Sequence, residues 1–156
     1  MNGSRRKAYF QVQAEIVISA PAALVWAVLV DLAHYSDWNS FVYSMKSNLR
    51  VGDRLTMRVR MRPRWGWNVV TVNEVIRVDA QRRLVWRTLS PWWLLQGERW
   101  QTLEALDLNR TRYTTSEGFT GILAPLVKWV VGRDLQRGFE NAARDLKQRA
   151  ETLASS

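Results

Sequence analysis

The chain has 156 residues, 47% of them hydrophobic, with a net charge of +9 and an isoelectric point near 10.8. That length suits one domain over residues 1–156, with an ordered core of about 8–152. There is no cysteine and only one histidine, His34. This excludes a disulfide framework, a thiolate nucleophile and any metal site built on cysteines or several histidines. No serine sits in a nucleophile-elbow setting, so a serine triad through His34 is not supported. The positive charge favours anionic partners: acidic ligands, nucleic acid or an anionic membrane surface. No apolar run is long enough to span a bilayer, since Ala20 to Leu32 is short and broken by Pro21 and Asp31. Ser4-Arg5-Arg6-Lys7 has no apolar run behind it, so a signal peptide is not expected, and the protein is read as cytoplasmic.

Phe10 to Ser19 alternates with Phe10, Val12, Ala14, Ile16 and Ile18 on one face, which predicts a half-buried strand. Pro21 then suits the first turn of a helix, with Leu24, Val25, Val28, Leu29 and Leu32 at helical spacing. A second short helix is expected over His34–Phe41, and a strand over Val42–Leu49. Val51-Gly52-Asp53 reads as a turn. Arg54 to Met61 gives a dry face (Leu55, Met57, Val59, Met61) and a wet face (Arg54, Thr56, Arg58, Arg60), which implies an antiparallel sheet. A hairpin tip at Pro63–Trp67 follows, then a strand over Asn68–Val78 with Val70, Val72, Ile76 and Val78 expected inward.

Leu84 and Trp86 open the next strand. Trp92-Trp93-Leu94-Leu95 is placed at a turn closed by Gly97. The strand near 98–106 leaves its register open: either Glu98, Trp100 and Thr102 face inward, or Arg99, Gln101 and Leu103 do. Thr111–Thr120 is the last strand. From Pro125 an apolar stripe runs through Leu126, Val127, Val130, Val131, Leu135, Phe139, Ala142, Leu146 and Ala150 with gaps of three or four, which predicts one long helix. Gly132 and Gly138 inside it suggest a bend or a close approach. Glu140–Arg144 and Asp145–Arg149 read as i,i+4 pairs on its wet side.

The order strand, two short helices, six strands, long helix resembles the START-like, or Bet v 1-like (SRPBCC), superfamily, in its polyketide cyclase/dehydrase branch. Four stretches carry the likeness: Ile18-Ser-Ala-Pro21-Ala-Ala-Leu-Val25-Trp26 with Asp31 and Trp38-Asn39; Leu84-Val-Trp86; Thr111 to Gly121; and Phe139 to Glu151. The resemblance covers about residues 10–151. It implies an α+β helix-grip fold, a curved seven-stranded antiparallel sheet gripping the last helix around a cavity. It implies no reaction, because one fold hosts many functions.

Within that frame the cavity walls are assigned to Met57, Val59, Val72, Trp86, Trp100 and Phe119. Trp65, Trp67, Trp92 and Trp93 sit at two hairpin tips and are read as the cavity entrance, where exposed aromatics need a reason. Glu117 shares a strand face with Tyr113, Thr115 and Phe119. A carboxyl turned into an apolar cavity is pushed toward its neutral form and can serve as acid or base; the competing reading is an ion pair with Arg99. Glu117 and Tyr113 are the candidate catalytic residues, and Glu74 is a weaker one.

The expected ligand is a hydrophobic small molecule, polyketide-like or lipid, bound without metal or cofactor and in one reading cyclised or dehydrated. The alternative is a non-catalytic lipid-binding or transfer protein at an anionic membrane surface. A third reading is single-stranded nucleic-acid binding through Arg54, Arg58, Arg60, Arg62 and Arg64. Those arginines alternate with buried residues, as on any solvated sheet face. The sequence does not speak to oligomeric state.

Overall fold

The computed structural model describes residues 7–62 and 66–156. Pro63, Arg64 and Trp65 therefore lie outside the described residues, and with them one of the four expected entrance tryptophans. Strand β1 (Phe10–Ile18) leads into helix α1 (Ala22–Val30), a 3-10 turn (Leu32–His34) and the single turn α2 (Tyr35–Trp38). Strands β2 (Val42–Lys46), β3 (Arg54–Arg62), β4 (Trp67–Asp79), β5 (Arg83–Thr88), β6 (Gln96–Asp107) and β7 (Arg110–Thr120) follow, and helix α3 (Ala124–Ala154) closes the chain.

Among the described residues, one seven-stranded sheet runs β1-β7-β6-β5-β4-β3-β2, antiparallel throughout. Strands β2 to β7 form a meander, and β1 returns to pair with β7. This is the expected α+β helix-grip architecture. Register shifts in four of the strand pairs bend the sheet. Its concave face wraps α3. The helix buries Val131, Leu135, Phe139, Ala142, Leu146 and Ala150 at gaps of three or four, the stripe read from the sequence.

Strand β3 keeps the predicted alternation, with Leu55, Met57 and Val59 buried and Arg54, Arg58 and Arg60 exposed. Strand β4 does not. Val70 and Val72 are 61% and 37% exposed, while Asn73 and Val75 are buried. Leu55 pairs with Asn73 and Met57 with Thr71, so the odd positions share the dry face and Val72 lies on the outer one. A shift between Val75 and Arg77 then places both Val75 and Val78 opposite inward residues, Trp86 and Leu84. A single bulge thus moves the inward set from odd to even positions.

Strand β6 settles the open register. Gly97, Arg99, Gln101 and Leu103 are the buried set. Trp100 therefore faces outward, with the Arg83 guanidinium 5.5 Å from its ring centre and its indole nitrogen 2.7 Å from Glu98 Oε1. Gly97 lies within β6; the turn is made by Pro91–Leu95, where the Leu94 amide bonds the Pro91 carbonyl at 2.9 Å. Strand β2 ends at Lys46, short of Leu49, whose φ is +53°. Helix α3 runs to Ala154, past the expected ordered end. Neither predicted i,i+4 ion pair on it forms: Asp145 accepts from the Ser40 amide and hydroxyl, and Glu140 accepts from Gln136. Lys147–Glu151 is the i,i+4 pair that does form, at 2.7 Å.

Candidate functional site

A polar row crosses the concave face. In β5 to β7 the pairings Trp86–Arg99, Arg99–Glu117, Gln101–Thr115 and Leu103–Tyr113 stack inward-facing residues side by side. Opposite them stand α3, α1 and α2. The result is a closed pocket of about 10 Å³, bordered among others by Tyr35, Trp86, Arg99, Gln101, Tyr113 and Leu146. That volume holds about one water-sized atom.

The bonding inside this pocket is incomplete. Tyr113 donates its hydroxyl proton to Gln101 Oε1 at 2.7 Å, and Tyr35 donates to the Leu29 carbonyl at 3.2 Å. Arg99, only 4% exposed, donates from Nε to Thr115 Oγ1 at 3.2 Å. Its guanidinium lies 4.3 Å from the ring centre of Phe139 and 5.4 Å from that of Trp86. Among the described residues no carboxylate comes within ion-pair distance of it. Trp86 Nε1 and Gln101 Nε2 are buried donors without a partner.

Glu117 faces inward from β7 as expected, between Val12 of β1 and Arg99 of β6. Burial pushes its carboxyl above the usual range, and the Arg99 charge opposes this only in part. Oε1 leans over Gly97, where an added methyl would sit 2.5 Å from it. Burial likewise raises the Tyr113 and Tyr35 phenols, with Arg99 pulling both back, so both keep their protons through the neutral range. Four residues along one strand separate Glu117 from Tyr113, about 13 Å. The two candidate catalytic groups therefore stand apart, with Arg99 and Thr115 between them.

Of the predicted wall, Trp86 borders the pocket. Met57, Val59 and Phe119 are buried on the same face outside its lining, and Phe119 stacks on Phe10 with ring centres 4.7 Å apart. Val72 and Trp100 are on the other face. Glu74 also faces out, paired across the sheet with Arg54 and Arg87. His34 is exposed and bonds Asp31 at 2.8 Å. Sequence reading did not single out Tyr35 or Asn39, and it offered Arg99 and Gln101 only as one of two possible inward sets, with Arg99 also as a salt-bridge partner. The available signal was their phase: Arg99 and Gln101 are spaced by two from Leu103.

Outside the pocket lies a much larger hollow, an open groove of about 1260 Å³ between the end of β3 and the first half of α3. Phe41, Met61, Trp129 and Val130 supply apolar surface to it, and Arg60, Lys128, Arg133 and Arg137 supply charge. Arg62 clamps its two walls: Nε bonds Asp134 at 2.9 Å and Nη2 bonds the Val130 carbonyl at 2.7 Å. Groove and pocket are adjacent along the chain. Ser40, Phe41, Gly138 and Asn141 line the first; Asn39, Val42 and Ala142 line the second. The Phe41 ring lies directly on Gly138, leaving no room for a side chain there.

Residues 9–151 match the family described as polyketide cyclase / dehydrase and lipid transport. The chain belongs to this family. Its fold is shared with the protein TTHA0849 of Thermus thermophilus at 21% identity (TM-score 0.73, covering 94% of this chain and 100% of that one). A START superfamily protein from Mycobacterium smegmatis aligns at 18% identity (TM-score 0.70, 92% and 98%). The ZhuI aromatase/cyclase from Streptomyces sp. R1128 aligns at 19% identity (TM-score 0.68, 91% and 93%). At such identities the likeness concerns the fold. No curated protein sequence matches the chain. Membership in this family suggests hydrophobic ligand binding, and no helix among the described residues is long and apolar enough to cross a membrane.

Proposed function

We propose that this family member binds an apolar small molecule of polyketide or lipid type between the sheet and α3, its body along the groove and its polar end toward Arg99. The carrying observation is the pocket itself. Two unpartnered donors and a buried cation without a carboxylate surround a void at the foot of a basic, apolar-floored groove. Buried polar groups are almost always satisfied, so an interior with two open donors supports a site that a ligand completes. Phe41 is the side chain that must swing for the two spaces to join.

Binding is better supported than turnover. Glu117 and Tyr113 are too far apart to act on one bond, and the Tyr113 proton is committed to Gln101. Native mass spectrometry of the protein as isolated, followed by organic extraction, tests the reading. The expected result is an apolar adduct that extraction removes. A protein that carries no adduct, and binds neither palmitate nor 2-ethylnaphthalene saturably, rules it out.

A second reading rests on a separate surface. Trp92, Trp93, Ile122, Leu126 and Trp129 are 64%, 52%, 68%, 54% and 85% exposed. The Ile122 amide bonds the Trp93 carbonyl at 2.9 Å, which joins the β5–β6 turn to the start of α3. Lys128 and Arg133 lie on the same helix. Exposed tryptophans beside cations suit the interface of an anionic bilayer. Sedimentation with phosphatidylglycerol vesicles at low salt, lost in Trp92→Ala/Trp93→Ala and absent with phosphatidylcholine, is the expected outcome. No sedimentation at low salt removes this reading.

A further inference from the structure

We propose that Trp86, Arg99 and Gln101 form a subsite for one acceptor oxygen of the ligand, the carbonyl oxygen of a ketone carried on an apolar body. The proposal rests on the ligand-binding reading above and names what that ligand presents.

The first argument is donor chemistry. An indole N–H and a guanidinium can only donate, and the one acceptor on Gln101 is already taken by the Tyr113 hydroxyl. The space between these groups therefore selects an acceptor. The second is burial. Trp86 and Gln101 are each 2% exposed, and their Nε1 and Nε2 donors have no partner. A buried donor left unmade costs about 1–3 kcal/mol, so two in one pocket gain substantially from one well-placed oxygen.

The third argument is charge. Arg99 stands across from Trp86 in the β5–β6 register, buried and without a carboxylate partner. Its charge strengthens any hydrogen bond to a polarisable oxygen. The fourth is size. The space of about 10 Å³ admits about one water-sized atom, which fits a carbonyl oxygen. The rest of such a ligand extends past Asn39 and Ala142 toward Phe41 and the groove.

The test compares 2-acetylnaphthalene with 2-ethylnaphthalene, which differ only by a carbonyl in place of a methylene. Binding is read by calorimetry, and the carbonyl stretch of the bound ketone by infrared spectroscopy. The expected result is a preference of about tenfold or more for the ketone, with its stretch moved to lower frequency. Trp86→Phe and Gln101→Leu keep the bulk of each side chain, and each reduces the preference and the band shift. Thermal melting confirms that these variants are folded; should either not fold, the wild-type preference and band position decide alone. Equal affinity for the two probes means that ordered water serves these donors, and overturns the proposal while leaving the ligand reading intact. An unshifted carbonyl band overturns it as well. If neither probe binds, the subsite falls, and the ligand reading falls with it only when the isolated protein also carries no adduct and does not bind palmitate.

Discussion

Arg99 stands directly across from Glu117 on the neighbouring strand, yet the two do not form an ion pair. Arg99 turns toward Thr115 and lies against Phe139, while Glu117 leans over Gly97. The salt bridge weighed from the sequence is thus not made. Arg99 is buried and Glu117 half-buried, neither fully compensated by the other, and that sets the pH behaviour of this corner.

The Glu117 carboxyl is held above its ordinary range, chiefly by burial. A group whose folded pKa exceeds its unfolded one contributes stability that is complete below the unfolded value. That contribution fades as pH rises through the folded value. Glu117→Gln removes the cost of burying the charge. The variant is therefore expected to melt higher than wild type at neutral pH, by a few degrees, about what 1 kcal/mol gives in a domain of this size. The gap should narrow as pH falls into the ordinary carboxylate range. Melting curves across pH check this, and a gap that is constant or widens in acid contradicts it.

Gly97 is the second test of the same corner. A methyl there would meet Glu117 Oε1 at 2.5 Å and Phe119 Cε1 and Thr88 Oγ1 at 3.2 Å each. Alanine in a strand interior is otherwise favourable relative to glycine, so the steric cost decides the sign. Gly97→Ala is expected to destabilise by about 1–3 kcal/mol in chemical denaturation. Combining it with Glu117→Ala should recover about 1 kcal/mol of that, because the closest clash disappears. Additive effects of the two changes would mean that Glu117 does not occupy the space above Gly97.

These residues also show what the sequence could and could not carry. The alternation in Arg54–Arg62 was legible because that strand has one wet and one dry face, and its arginines have nowhere else to go. The long helix was legible from its stripe. Strand β4 misled because valines suit a pleated surface on either side, so Val70 and Val72 mimic a core face while Asn73 takes the inward place. The bulge after Val75 then defeats any fixed period of two. In β6 the inward set begins Gly97, Arg99, Gln101, and apolar periodicity is blind to a polar interior. The pocket lining was therefore legible only where it is apolar or titratable, at Trp86 and Tyr113, with Glu117 on the same face outside the lining. Its donors emerge only from strand register.

The last prediction concerns the partition between groove and pocket. Phe41 is 5% exposed, rests on the backbone of Gly138, and has its ring centre 6.1 Å from that of Phe139. Gly138 lies mid-helix, where glycine costs about 1 kcal/mol relative to alanine, so the close approach of the ring explains its presence. In Gly138→Ala the new methyl occupies the ring's position and Phe41 must rotate out. The variant is expected to lose about 1–3 kcal/mol of stability despite the better helix former. With Phe41 displaced, the pocket and the groove join, and 2-acetylnaphthalene should associate faster with the variant than with wild type. Stopped-flow fluorescence measures that rate, and Phe41→Leu, a smaller side chain at the same place, should speed it without the clash. Unchanged association rates in both variants would show that the ligand reaches Arg99 by another route.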